Sequence, residues 1–594
     1  MTKLFLAGAL FAQLGLMQMT QAPLPPELPW HGASESLIAG ADNPWITPGE
    51  ANGFTATPTY AETRAWLERI DAASPLIRME VFGRSPQGRD LLAVFVSEDG
   101  AAFDPAKPVL FIQAGIHSGE IDGKDAGLML LRDIAFGDKR SSIDRVNIVF
   151  VPIFNVDGHE RAGIYNRPNQ RGPSNQGWRN TAQNLNLNRD YTKADAPEMR
   201  AMLALLQRVR PDLFLDIHVT DGSDYQYDVT YGYQGAGRTW SASPHISRWL
   251  DQHFRPDVDR ALARQGHVPG DLVFPLNDLA PDEALAGYAF SPRFSQAYGD
   301  MIHMASVLVE NHSLKPHRQR VLGTYVLYEA SLRLLAEHGA SLRTASRQDA
   351  AARPRELPVG WRQSERTVQR DYLPVGYERY RSAASGRDEV RYTGRAGAPM
   401  RIAVHQVEPT GHITRPRAYW VPATKPEVIA LLRTHGIQVE TITEARTVHV
   451  EMLRLPGATL SAAAAEGRQR ASSGDPRRET RDEWMPPGSV RVPTDQPLGD
   501  LAMILLDPES EDSLFAWGFF NETLQRVEYV EGYIIAPYAD ALLQADRALR
   551  AEFETRLAAD PAFAADPDAR LAWFYGRSPY ADARYQLYPV GLER

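Results

Sequence analysis

The sequence contains no cysteine among its 594 residues. This absence excludes disulfide bonds, thiolate metal sites and cysteine nucleophiles, so any bound metal must be held by His, Asp or Glu. Positive charge is also in deficit, because 64 Lys and Arg stand against 74 Asp and Glu, which gives a formal net charge of −10. A broadly basic surface is therefore excluded, and nucleic acid is not expected as a partner.

Beyond its N-terminus the chain lacks any apolar run of the ~18 residues that a membrane span needs. Only the N-terminal segment is strongly apolar: Lys3 is followed by the apolar run 4–17, and the segment ends in Thr-Gln-Ala at 20–22 before a proline-rich stretch. These features are typical of a secretory signal peptide, residues 1–22, that is cleaved after Ala22. We expect an exported protein, periplasmic or secreted, whose mature chain has no membrane span.

The rest of the chain changes character twice, which predicts three further parts. Residues 23–57 are rich in Pro, Gly, Asn and Trp and are expected to form an N-terminal leader. Residues 58–345 alternate short apolar runs with helical patterns, which predicts a domain of the α/β class built on a layered sheet. Residues 346–594 contain shorter strand-like pieces and a helical tail, which predicts a C-terminal α+β region of unknown role.

The alternating pattern in the 58–345 domain predicts individual elements. Strands are expected at 109–114, 146–153, 213–219 and 304–311. Helices are expected at 121–136, 196–209 and 320–337. A charged, alanine-rich linker is expected at 343–356. The low-complexity stretch 461–484 is expected to be a mobile loop.

The first candidate site residues, His117 and Glu120, follow the strand predicted at 109–114. The carboxyl end of a strand in an open α/β sheet is where ligand sites lie. An imidazole and a carboxylate three residues apart, across a turn that contains glycine, can take two corners of a tetrahedral zinc ion. Random surface pairs often have this spacing, so a third ligand from another strand is needed.

The strand predicted at 213–219 offers that ligand, because alternation places Asp216 and His218 on the face opposite its apolar residues. Two His and one Glu leave an open position for water, which is the arrangement of hydrolytic zinc sites. Glu310 ends a strongly apolar strand, where a carboxylate is costly without a partner or a role. We interpret Glu310 as a general base, with a structural salt bridge as the alternative.

These motifs, in this order, resemble those of the zinc carboxypeptidases of the carboxypeptidase A and B type, over about residues 58–345. The resemblance implies a three-layer α/β/α fold with a mixed central sheet. It also implies one zinc ion per chain, held by His117, Glu120 and His218, and it makes Glu310 the catalytic glutamate.

Further motifs extend the resemblance to substrate binding. The turn Asn-Val-Asp-Gly at 155–158 resembles the family's Asn-Pro-Asp-Gly turn, with Val156 in place of Pro. In the pair Trp178-Arg179, Arg179 looks like the family's arginine that polarises the scissile carbonyl, and a guanidinium there would stabilise an oxyanion. Asn188-Arg189 resembles the pair that binds the terminal carboxylate of the substrate, a contact that Arg can make bidentately. The alternative for Arg189 is a purely structural role, in an ion pair with Asp190 or Asp195.

The sequence departs from the family pattern at three places. Asn186 stands where the family has an Asp that orients a zinc-bound histidine, so the oxygen offered there belongs to an amide. The tyrosine that covers the substrate could be Tyr288 or Tyr298. Arg293 could favour acidic side chains, or it could simply face solvent.

The residues together predict a zinc metallocarboxypeptidase that acts on the C-termini of peptides or proteins. Two alternatives stay open. One is another hydrolase on the same scaffold, either an amidase or peptidase of cell-wall peptides or a deglutamylase. The other is a non-catalytic module that binds peptide C-termini.

Overall fold

A computed structural model describes residues 24–100, 103–526 and 528–594 of the chain. The predicted signal peptide, residues 1–22, lies outside the described residues. Among those described, no helix combines the length and the apolar character that crossing a bilayer requires.

An eight-stranded mixed sheet forms the centre of the N-terminal half. The first nine strands in chain order are β1 Ile77–Arg84, β2 Asp90–Val96, β3 Val109–Ala114, β4 Asn147–Val151, β5 Leu213–Val219, β6 Val229–Gly232, β7 Pro269–Asp271, β8 Ala284–Ala286 and β9 Ala305–Asn311. All except β8 belong to this sheet, in the order β1-β2-β4-β3-β5-β9-β6-β7. The core strands β4, β3, β5 and β9 run parallel, and β2 and β6 flank them in the antiparallel sense. Burial on both faces explains why β3 and β5 are apolar along most of their length.

Helices cover both faces of the sheet, as a three-layer fold requires. In the first half of the chain they are Pro48–Ala51, Tyr60–Ala73, Asp122–Phe136, Val156–Glu160, Pro197–Val209, Pro244–Trp249, Arg255–Arg264, Ser295–Met301 and His317–Ala351. On one face, Leu110 and Ile217 share a buried cluster with helices Asp122–Phe136 and His317–Ala351. On the other face, Phe111 and Phe214 pack with helix Pro197–Val209. The expected α/β/α architecture with a mixed central sheet is confirmed.

The C-terminal half is an α+β structure with a six-stranded sheet of its own. The strands of the C-terminal half, inside and outside that sheet, are β10 Glu356–Tyr372, β11 Val375–Arg381, β12 Asp388–Ala396, β13 Met400–Thr414, β14 Ala418–Val421, β15 Glu440–Thr441, β16 Arg446–Arg454, β17 Thr459–Leu460, β18 Ala471–Ser472, β19 Arg477–Met485, β20 Val490–Pro493 and β21 Gly591–Glu593. The sheet order is β15-β20-β14-β21-β16-β19. Outside it, β10 and β13 form a long antiparallel pair, and β8 pairs with β13 in parallel. Its helices are Pro426–Thr434, Gly499–Leu506, Gly532–Ala545, Arg547–Ala559, Pro561–Ala565 and Pro567–Tyr575.

The two halves share one apolar core on the second face of the central sheet. Phe214 and Met199 belong to the same buried cluster as Tyr419, Leu501 and Trp517 from the C-terminal half. The C-terminal half therefore packs directly against the layer that carries the site described below.

Two sequence expectations were wrong. Of the residues expected to form a linker at 343–356, those at 343–351 continue helix His317–Ala351 to its end, because Leu342 and Ala345 are buried against the core that the helix already covers. The stretch 461–484 is not a loop throughout, since residues 477–484 belong to β19, which pairs with β16 through nine residues on each strand. Charge along β19 is compatible with a strand because its side chains lie on an exposed edge of the sheet.

Candidate metal centre and substrate cleft

His117 and Glu120 lie in the turn that joins β3 to helix Asp122–Phe136. The turn is closed by the Glu120 N–H, which donates to the His117 carbonyl over 2.9 Å. Gly119 is required between them, because a Cβ atom there would lie 2.5 Å from Cγ of Arg167 and 2.9 Å from the Gly177 carbonyl oxygen. The tight packing fixes both side chains at the carboxyl edge of the sheet.

His218, near the end of β5, completes a buried group of three ligand-type side chains. Its Nδ1 lies 2.8 Å from Oε2 of Glu120, and Nδ1 of His117 lies 3.1 Å from the same oxygen. One ligand atom from each residue lies within 4.8 Å of the other two. The three residues that the sequence predicts as metal ligands are thus brought together.

The outer nitrogen of each imidazole is also bonded. Nε2 of His117 lies 3.0 Å from the amide oxygen of Asn186, and Nε2 of His218 lies 2.9 Å from Oδ2 of Asp216. Asp216 is held in turn by Nε2 of Gln113, over 2.8 Å. Histidines that bind metals commonly have such an outer partner, which fixes the ring and the tautomer. A His₂Glu donor set with both outer nitrogens satisfied fits zinc.

The two histidines have opposite electrostatic environments. Burial lowers the pKa of His117 to about 4, against the opposing effect of Glu120. Burial also acts to lower the pKa of His218, but the carboxylates of Asp216 and Glu120 outweigh it and raise that pKa well above its ordinary value. The pKa of Glu120 lies well below its ordinary value despite burial, because His117 and Arg167 favour its charged form. The acidic member of the cluster is therefore ionised and available to a cation.

The second oxygen of Glu120 is bound by two arginines. Oε1 accepts from Arg167 over 2.8 Å and from Arg179 over 3.3 Å. Arg167 is buried, whereas the Arg179 side chain is 37% exposed. Sequence analysis missed Arg167, and no local motif marks it, since its role depends on a turn that brings it back to Gly119.

The Asn-Val-Asp-Gly turn fixes the backbone around Arg179. Nδ2 of Asn155 donates to the Arg179 carbonyl over 3.1 Å, and the Trp178 N–H donates to the Gly158 carbonyl over 2.7 Å. A Cβ on Gly158 would lie 2.7 Å from the Trp178 carbonyl oxygen, so only glycine fits. Asp157 lies away from the cluster and binds Arg89 and Ser85.

Glu310 lies beside His218, because the two are register partners on the parallel strands β9 and β5. Its side chain is half-buried, and among the described residues its Oε2 has no hydrogen-bond partner. Burial raises the pKa of Glu310 to about 8, with Glu120 and Asp221 acting in the same direction. The structural salt bridge considered for Glu310 is absent from the described residues.

Asn188 and Arg189 lie on the other side of the cluster. Nδ2 of Asn188 lies 3.4 Å from Nε2 of His218, and its Oδ1 accepts from the Ser295 N–H over 3.1 Å. The Arg189 guanidinium lies 4.2 Å from the ring centroid of Phe294. Burial lowers the pKa of Arg189 to about 10, with the positive charges of Arg179 and Arg293 acting in the same direction.

No carboxylate of the described residues lies within ion-pair distance of Arg189. The two carboxylates considered as structural ion-pair partners of Arg189 bind other cations. Asp190 binds Lys193 over 2.5 Å, and Asp195 binds Arg468 over 2.7 Å. Arg189 is thus a half-buried cation next to the cluster, without an ion-pair partner among the described residues.

Neither candidate tyrosine bonds to the cluster in the part of the chain that the structure describes. Tyr298 is buried in helix Ser295–Met301, with its hydroxyl 2.9 Å from Nδ1 of His435. Tyr288 packs in an aromatic group with Phe274 and Phe290.

Comparison with known proteins gives a family for the region that holds the cluster. The family model described as zinc carboxypeptidase matches residues 63–265. This range contains His117, Glu120, Arg179, Asn188, Arg189 and His218. Glu310 lies beyond it. The resemblance inferred from the motifs is confirmed over the matched range.

Relatives with curated names are also carboxypeptidases. Carboxypeptidase 2 of Trichophyton rubrum is 22% identical over 504 residues, which cover 80% of this chain and 86% of the relative. Carboxypeptidase Z of Gallus gallus is 34% identical over 119 residues, which cover 18% of this chain and 17% of the relative. Among solved structures, carboxypeptidase A from Helicoverpa armigera has 19% identity and a TM-score of 0.36, over 52% of this chain and 80% of that chain.

Proposed function

We propose, from the zinc carboxypeptidase domain that the chain carries at residues 63–265, that the protein removes C-terminal residues from peptides. One zinc ion per chain would be held by His117, Glu120 and His218. The observation that carries the proposal is the convergence of two imidazole nitrogens on one carboxylate oxygen, beside Glu310, whose Oε2 has no hydrogen-bond partner among the described residues.

Zinc in such a site supplies a Lewis acid that activates water and polarises the scissile carbonyl. Glu310 is the proposed proton carrier: Oε2 takes a proton from the attacking water and returns it to the leaving amine. Its Oε2 has no hydrogen-bond partner among the described residues, which leaves it available for this exchange. Because Glu310 is the register partner of His218 on the neighbouring strand, it lies at the same edge of the sheet as the proposed metal ligands.

Arg179 is the proposed stabiliser of the oxyanion that forms as the peptide bond is attacked. Its partly exposed guanidinium lies next to Glu120, and a preorganised cation at that position favours the developing charge. Asn155 and Gly158 are positioning residues, since they hold the backbone that carries Arg179.

Asn188 and Arg189 are the proposed binding site for the α-carboxylate of the substrate. Arg189 has no carboxylate partner among the described residues, and the Phe294 ring restricts its guanidinium plane. A planar, half-buried guanidinium can bind a carboxylate bidentately. This pair distinguishes a carboxypeptidase from an endopeptidase, which has no terminal carboxylate to bind.

Amidation of the substrate C-terminus tests this function directly. Because the charge-assisted contact is lost, kcat/KM of the wild type should fall by at least about tenfold between the free-acid and amidated forms of one peptide. Arg189→Ala has already lost the contact and should discriminate little between the two peptides.

Arg577→Ala is the control, because it removes another ring-stacked arginine, 3.7 Å from the Trp573 centroid in the C-terminal helices. It should discriminate like the wild type. Equal rates of the wild type on both peptides would refute the exopeptidase function and favour an amidase or endopeptidase.

We also propose that the protein is exported by its N-terminal segment 1–22, on the evidence of its sequence alone. N-terminal sequencing of the mature protein tests this, with Pro23 as the expected first residue.

A further inference from the structure

The C-terminal half supplies a wall of the proposed substrate cleft next to Arg189. Arg468 binds Asp195 through two bonds of 2.7 and 2.8 Å and stacks 3.7 Å from the ring centroid of Phe519. Gly467 lies so close to the turn before Asn186 that a Cβ there would come within 2.6 Å of Cδ2 of Leu185. The C-terminal half is therefore fixed to the chain segment that carries Asn188 and Arg189.

Arg293, which the sequence suggested as a residue that could favour acidic side chains, forms an ion pair with a carboxylate of the C-terminal half. Its Nε lies 2.6 Å from Oδ1 of Asp512, and its backbone N–H donates to Oδ2 of the same residue over 2.9 Å. Its guanidinium lies 5.3 Å from the ring centroid of Trp517. Arg293 thus joins the two halves through an ion pair with Asp512.

Arg470 stacks on the same Trp517 ring, 4.3 Å from the centroid. Its bond to Glu511 is made to the backbone carbonyl, and no carboxylate within the described ranges lies at ion-pair distance from it. Burial lowers the pKa of Arg470, and the neighbouring charge of Arg293 acts in the same direction, against the opposing effect of the Asp512 and Glu511 carboxylates. Arg470 therefore shares the property that marks Arg189: it is half-buried, ring-stacked and without a paired carboxylate.

Among the described residues, these two cations without an ion-pair carboxylate are both linked to Arg293 through an aromatic ring. Arg189 stacks on Phe294, the next residue in the chain after Arg293, and Arg470 stacks on the ring that Arg293 contacts. Aromatic stacking restricts a guanidinium to one plane, which favours bidentate binding of a carboxylate. Two such groups in one wall suit a ligand with two carboxylates.

We propose, as a deepening of the proposed function and resting on it, that the enzyme prefers substrates whose C-terminal residue is Glu or Asp. Arg189 binds the α-carboxylate, and Arg470 from the C-terminal half binds the side-chain carboxylate. The C-terminal half then has a role that its own sequence does not reveal: it determines which residue is removed.

The test compares two peptides that differ only in a C-terminal Glu or Gln, which are alike in shape and differ in charge. For the wild type, kcat/KM should be at least about tenfold higher for the Glu peptide, as expected for a charge-assisted contact. Arg470→Gln should bring this ratio close to one. An unchanged circular dichroism spectrum and an unchanged Tm would show that the variant is folded.

Arg477→Gln is the matched control, because Arg477 is an exposed arginine of the same half, seven positions along the chain, on β19. It should keep the wild-type ratio. Arg470→Lys should keep part of the preference, since the charge remains but the planar fork is lost.

Each contrary outcome has its own meaning. Cleavage of both peptides at equal rates by the wild type would overturn the acidic preference and leave the carboxypeptidase function intact. A preference for Glu that survives in Arg470→Gln would overturn the role of Arg470.

A preference for a Lys-ended peptide that is lost in Glu466→Gln would overturn the proposal in favour of Glu466, whose negative charge favours the charged form of Arg189. Cleavage of no C-terminal residue would overturn the proposed function and this inference together.

Discussion

Glu198 gives a pH-dependent stability that can be worked out from its surroundings. It lies in the first turn of helix Pro197–Val209 and is fully buried, and neither carboxylate oxygen has a hydrogen-bond partner among the described residues. Burial raises its pKa from the ordinary 4.5 to about 7, with Asp157 and Asp190 acting in the same direction. The folded protein therefore holds a proton on Glu198 at pH values where the unfolded chain has lost it.

The sign and size of the effect follow from this difference. Between pH 4.5 and about 7 the folded state binds more protons than the unfolded state, so the free energy of unfolding falls as pH rises and levels off above pH 7. The full shift corresponds to about 3 kcal/mol, at about 1.4 kcal/mol per pKa unit. Glu198→Gln removes the titration, so its stability relative to the wild type should rise by about 2–3 kcal/mol between about pH 5 and pH 8.

Urea unfolding of both proteins at several pH values measures this difference. The matched control is Glu427→Gln, because Glu427 also follows a proline in the first turn of a helix, Pro426–Thr434, but is exposed. Its stability relative to the wild type should not change with pH. Asp300, whose pKa burial also raises to about 7, contributes equally to all three proteins and cancels. A Glu198→Gln difference that stays constant across pH would refute the reasoning.

Two further predictions concern the proposed active site. His117→Ala and His218→Ala should each lose most of the zinc from the purified protein, because two remaining ligands cannot hold a tetrahedral site; stoichiometric zinc in both variants by metal analysis would contradict the ligand assignment. Glu310→Gln should keep its zinc and lose about 10²–10⁴ in kcat, because the shape remains and the proton acceptor is gone. Near-normal turnover in steady-state assays would instead give Glu310 a structural role.

The fold of the N-terminal half could be predicted because its strands are buried on both faces and flanked by clear breaks. The strands predicted at 109–114 and 213–219 are β3 and β5 with the same ends. The prediction failed where tertiary contacts override composition. Residues 343–351 look like a linker, yet they are helical because Leu342 and Ala345 find a core to pack against.

The cluster itself could be predicted because its members follow strand ends that the sheet must bring to one edge. Its support could not, since Arg167 binds Glu120 from a segment without local regularity. Asn186 shows an intermediate case. Its amide oxygen takes the place next to His117, as expected from its spacing to the Asn188-Arg189 motif, but only the structure shows that Asp216 provides a carboxylate to the other histidine.

The charge state of the cleft wall is a different kind of property, because it depends on which partners remain after all ion pairs have formed. From the sequence, Asp195 is as good a partner for Arg189 as any other carboxylate nearby. In the folded chain Arg468 reaches Asp195 from 273 positions away and removes it from competition. Arg293 likewise binds Asp512 and so removes that carboxylate as an ion-pair partner for Arg470. Within the described part of the chain, these long-range pairings leave Arg189 and Arg470 without a carboxylate at ion-pair distance, so the features proposed to select an acidic residue arise from contacts between the two halves and from no motif in either.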